Sequence, residues 1–112
     1  MKSLKFRKNL SELILKGEKT TTWRIFDDKD IQMDDELVLL VWETKKEFAK
    51  AKVIAVREVR FKELTKEDLE GHEKFSSDKE MYETYSEYYN QPVTEDTIVK
   101  IIKFKLMKEE IK

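Results

Sequence analysis

The segment GEKTTTWR, Gly17 to Arg24, decides how the rest of the chain is read. Before it, Leu10, Leu13 and Ile14 share one face of a helix, and Asn9 with Glu12 has the spacing of an N-cap box. Gly17 then stands where such a helix wants a left-handed C-terminal cap. After the glycine, Thr20 to Ile25 is β-branched and aromatic, which predicts a strand. Period two puts Thr20, Thr22 and Arg24 on one face and Thr21, Trp23 and Ile25 on the other. Lys19, in the turn, can reach the side of Thr22 and Arg24. Trp23 is expected in the core.

Outward from this segment the pattern remains that of one small domain, residues 1–112. Leu4 and Phe6 alternate with Lys5 and Arg7 in a short first strand. Asp27 to Asp35 is acidic and turn-rich, and Leu37 to Trp42 is a near-continuous apolar strand with Trp42 expected inside. Glu43 to Glu47 reads as a hairpin connection. From Phe48 to Phe61 a period of two persists, placing Ala49, Ala51, Val53, Ala55, Val59 and Phe61 on one side. A strand that long has to bend or bulge, which favours a small barrel over an open sheet.

A helical insertion follows. Thr65 to Glu70 is a short capped helix ending at Gly71, and Ser77 with Glu80 begins a second helix, roughly Asp78 to Tyr89. Met81, Tyr85, Tyr88 and Tyr89 share its face, and such a stripe is usually core. Ile98, Ile102, Phe104 and Leu106 form the closing strand. The fold class is therefore α+β: a mostly antiparallel β-barrel with about three helices, one before the motif strand and two in the insertion.

Composition narrows the functional classes. Charged residues make up 42% of the chain, yet 39% hydrophobic and 11% aromatic residues mark a folded domain rather than a disordered one. No apolar run reaches the ~18 residues of a membrane helix, and Met1 to Leu10 lacks a continuous apolar signal core, so a cytoplasmic monomer without a membrane partner is expected. The absence of cysteine and a single histidine, His72, argue against a metal site, and no cofactor is expected. The net charge of −1 conceals segregation: residues 1–24 carry seven basic and two acidic side chains, whereas 63–87 carry three and nine. If the basic segments converge they form a positive face for a phosphate-bearing partner; the plainer reading is alternating solvated charge.

The motif residues have a possible chemistry. A lysine kept neutral by its surroundings can take the proton of a threonine hydroxyl, which then attacks an acyl carbon; Lys19 and Thr22 are the candidates. Arg24 has the planar fork for paired oxygens. Spacing alone equally allows a turn charge, a strand threonine and a surface ion pair. His72, beside a glycine in a loop, is expected to be exposed.

Gly17-Glu18-Lys19-Thr20-Thr21-Thr22-Trp23-Arg24 resembles the G-x-K-x-x-E-x-R signature of ASCH domains, a PUA-like family of small β-barrels linked with RNA binding. Gly17, Lys19 and Arg24 match, and Thr22 stands where most members have glutamate. K-x-x-T-x-R is similar to the subgroup of acetylcytidine amidohydrolases, which remove acetyl from the exocyclic amine of cytidine. The resemblance implies RNA or nucleoside as partner, with Gly17 and Arg24 of the motif on the ligand; the basic strand residues Arg57 and Arg60 are expected to extend the positive pocket. It implies Lys19 as base, Thr22 as nucleophile and Glu73 as acid, with Glu70 the alternative for the last role.

Overall fold

The computed structural model describes residues 1–25, 29–72 and 74–107. Asp27 and Asp28 of the acidic stretch, and the candidate acid Glu73, lie outside the described residues. The elements run β1 (Lys2–Phe6), α1 (Lys8–Leu15), β2 (Thr21–Arg24), β3 (Glu36–Val41), β4 (Glu47–Arg60), a 3-10 turn (Phe61–Glu63), α2 (Lys66–Leu69), α3 (Asp78–Tyr89) and β5 (Ile98–Leu106). One five-stranded sheet has the order β1-β3-β4-β5-β2. β1 and β3 are parallel and the other pairs antiparallel, so the domain has the expected α+β class and mostly antiparallel sheet, curved into a half-barrel with one parallel edge. Its end strands, β1 and β2, are bridged by a side chain: Arg24 Nη2 donates to the Lys5 carbonyl at 3.0 Å.

α1 begins earlier than Asn9 predicts. Arg7 is its N-cap and makes no side-chain capping bond. The Lys8 N–H instead donates to the Glu43 carboxylate at 3.0 and 3.2 Å, so a distant carboxylate satisfies a free helix donor and complements the positive helix end. At the other end Gly17 adopts φ +79°, and Gly17 N–H to Ile14 O with Glu18 N–H to Leu13 O makes a Schellman cap. That cap turns the chain directly into Lys19 and the motif strand.

The long β4 bends as its length requires. Its register against β5 shifts between Val53 and Ala55, with Ile54 the extra residue. The bulge breaks the expected alternation: Ala51 and Val53 are buried, whereas Ile54 and Ala55 are exposed. β5 is central and buries both faces. Ile102 and Phe104 join Leu4, Phe6, Ile14, Leu37, Leu39 and Val53 in one core, while Val99 and Ile101 join Trp23, Phe61, Met81 and Tyr85 in a second beneath α3. Two cores on opposite faces of one strand explain why strict alternation fails there.

Candidate functional site

The motif strand is fixed by the insertion. The N–H groups of Thr20 and Thr21 both donate to the Gly71 carbonyl, at 2.8 and 3.0 Å, and Thr21 Oγ1 donates to the Glu70 carbonyl at 2.7 Å. Gly71 has φ +74°, and a Cβ there would lie 2.0 Å from Thr20 Oγ1. A glycine is needed for both reasons. The next residue, His72, is 6% exposed rather than solvated: its ring stacks on Trp23 at 3.8 Å and its Nε2 lies 3.0 Å from the Tyr85 hydroxyl. Trp23 Nε1 donates to the Asp68 carbonyl, and so the tryptophan is core as expected, pinned from both sides.

This packing sinks the motif side chains into the wall of a cleft of about 240 Å³ between β1, β2 and α3. Lys19 is 2% exposed, its Nζ donating to the Thr21 carbonyl at 2.8 Å, and Thr22 is 4% exposed. Taking an ammonium out of water costs several kcal/mol, so a lysine at this depth needs compensating partners and is a candidate for chemistry. Arg24 lies with its guanidinium carbon 4.7 Å from the Phe6 ring centroid. Lys19, Thr22 and Arg24 all line the cleft.

Three further features of the cleft escape the linear reading. Lys5 and Arg7, outward-facing on and after β1, add two cations to its mouth. Trp42 is not inside: it is 43% exposed on the β3–β4 hairpin, with Lys45 Nζ 3.6 Å and the Arg7 guanidinium 5.2 Å from its ring. The tyrosine stripe divides, Tyr85 being buried while Tyr88 is half exposed, and both line the cleft with Tyr89. The Lys5-x-Arg7 alternation and the tyrosines at helical spacing were visible signals; the position of Trp42 was not. Among the described residues no carboxylate lines the cleft.

Other candidates lie elsewhere. Gly17 is an exposed helix cap with open space around it. Arg57 pairs with the buried carboxylate of Asp68 at 3.3 Å, in a shallow surface pocket with Thr65 and Lys66, and supports the α2 capping box. Arg60 is exposed beside the 3-10 turn. Neither arginine lines the cleft: both lie in the second half of β4, beyond the stretch that pairs with β3. Glu70 has an exposed side chain. Among the described residues no cluster suits a metal ion, and no helix is long and apolar enough to cross a membrane.

The chain is similar to known proteins over nearly its whole length. The ASCH domain family model matches residues 2–108. The hypothetical protein PH0355 is 27% identical, with a TM-score of 0.71 over 96% of this chain and 100% of that one. The ASCH domain from Lactobacillus crispatus is 16% identical, with a TM-score of 0.65 over 94% and 79% of the two chains. The ASCH protein from Zymomonas mobilis is 13% identical, with a TM-score of 0.65 over 92% and 65%. No curated protein matches the sequence.

Proposed function

We propose, from the premise that this chain belongs to the ASCH domain family, that its cleft recognises a nucleobase, free in a modified nucleoside or presented by RNA. The observation that carries this reading is the convergence of Lys19, Thr22 and Arg24 on one concavity whose walls are aromatic and whose mouth is cationic. Aromatic faces accept the π-face of a base, and cations at the rim accept phosphate. A cleft of about 240 Å³ is of a size for one base with part of its sugar.

Titration with cytidine, acetylcytidine and short ribo-oligonucleotides tests the reading. Saturable binding that weakens at least tenfold in Arg24→Ala supports it; no binding by any of the three overturns it.

A second reading is favoured by the depth of Lys19 and Thr22. Two nearly fully buried polar groups in one cleft wall suit an acyl transfer shielded from bulk water. In this reaction Lys19 takes the Thr22 hydroxyl proton, Thr22 Oγ bonds to the acetyl carbon, and the exocyclic amine leaves after gaining a proton from an acid, for which Glu73 remains the candidate. Water then cleaves the acyl-threonine to acetate. Incubation of acetylcytidine with wild type, Lys19→Ala and Thr22→Ala tests it. Turnover abolished in both variants supports the scheme; no turnover in wild type removes it, and unchanged turnover in Thr22→Ala removes the nucleophile.

A further inference from the structure

We propose that Trp42 and the cations around it form a second base subsite, so that the preferred ligand is a single-stranded nucleic acid of at least two nucleotides rather than a free nucleoside. The proposal rests on the nucleobase reading of the cleft and extends it. Trp42 is a large aromatic ring left 43% exposed on a hairpin, where a solvated polar residue would be the ordinary choice. It lines the same cleft as Arg24 and Tyr88, so a ligand leaving the cleft passes its ring.

Three cations attend that ring: Lys45 Nζ at 3.6 Å, the Arg7 guanidinium at 5.2 Å and Lys5 Nζ at 5.6 Å. A cation on an exposed ring contributes roughly two- to fivefold to an equilibrium constant. A stacked base contributes roughly fivefold to more than a hundredfold. The base therefore displaces Lys45 from the ring, and the released ammonium is well placed for the phosphate joining the two nucleotides. Positive charge beside an aromatic face complements a phosphodiester with its base, whereas an acidic peptide offers the charge without the π-face.

Trp23 and Trp42 both line the cleft, Trp23 2% and Trp42 43% exposed, so the part of any quenching that is lost in Trp42→Ala is assigned to Trp42. Fluorescence titrations with cytidine monophosphate, the dinucleotide CpC, its deoxy counterpart and decaglutamate, with the affinities of wild type and of the Trp42 variants measured by calorimetry, separate the outcomes. The expected result is quenching by CpC and affinity at least tenfold above that of the monophosphate, a gain lost in Trp42→Ala and largely kept in Trp42→Phe. The deoxy dinucleotide reports whether the 2′-hydroxyl is read, and quenching by either sugar supports the subsite. Equal affinities for monophosphate and dinucleotide overturn the subsite but leave the one-base cleft standing. A gain that survives Trp42→Ala, or equal quenching by decaglutamate, also overturns it. No binding by any nucleotide overturns the cleft reading and the subsite with it. Near-ultraviolet circular dichroism from the buried Trp23 verifies that each variant is folded.

Discussion

The Gly71 carbonyl accepts hydrogen bonds from the N–H groups of both Thr20 and Thr21, which ties the helical insertion to the motif strand. The motif and the 70–72 turn are separated by some fifty residues of sequence, yet they are one structural unit. Fixing this turn fixes the depth of Thr22 and the stack of His72 on Trp23.

Gly71→Ala is therefore expected to be far more destructive than Gly17→Ala. Both glycines have positive φ, which costs an alanine about 1–2 kcal/mol. At Gly17 nothing lies within 4 Å of the added carbon, so that cost is the whole effect; at Gly71 the carbon meets Thr20 Oγ1 at 2.0 Å. Urea unfolding should show a loss near 1–2 kcal/mol for Gly17→Ala and clearly more for Gly71→Ala. Equal losses would show that the 70–72 turn yields without disturbing the strand.

Glu43→Ala should weaken α1 although the residue lies outside it. Its carboxylate receives the Lys8 N–H, and losing an N-terminal cap costs about 1 kcal/mol. Asn9→Ala, at the position that the local pattern marks as the cap, should change stability by much less. Chemical denaturation of the two variants distinguishes the caps.

The cleft cations and the strand arginines should separate in binding to a short single-stranded oligonucleotide. Arg7→Ala is expected to weaken binding and lower the slope of log K against log salt by about 0.7, the contribution of one phosphate contact to a single strand. Arg60→Ala, outside the cleft, should leave both within error. The reverse pattern would move the binding face to the second half of β4.

Acid should remove part of the stability through Asp35 and Asp96. A hydrogen bond from Lys2 holds the Asp35 carboxyl below its ordinary 3.8, helped by the Gln32 N–H; a hydrogen bond from Lys62 does the same for Asp96. A carboxyl whose pKa is lower in the folded state stabilises above the unfolded value, and that contribution fades as pH falls through the folded one. The stability gap between wild type and Asp35→Asn should thus be constant from about pH 7 to 5 and close below 3.8. The Lys62–Asp96 pair is exposed and the Lys2–Asp35 pair only half-buried, so the gap is small and shrinks in salt. Urea midpoints across this pH range, at low and high salt, provide the check.

The amino-acid order by itself determined the local elements: the glycine cap after α1, the motif strand, the Thr65 cap, the span of α3 and the need for β4 to bend. Each follows from backbone preference and periodicity within a few residues. Only the tertiary structure decided what those elements meet. A carboxylate from the hairpin caps α1, Arg57 is taken up by Asp68 outside the cleft, His72 is drawn into the core, and Trp42 is left at the cleft mouth. The reason is physical: burial and hydrogen-bond satisfaction depend on partners tens of residues away, and a shift of one residue in strand register reverses which side chains face a ligand.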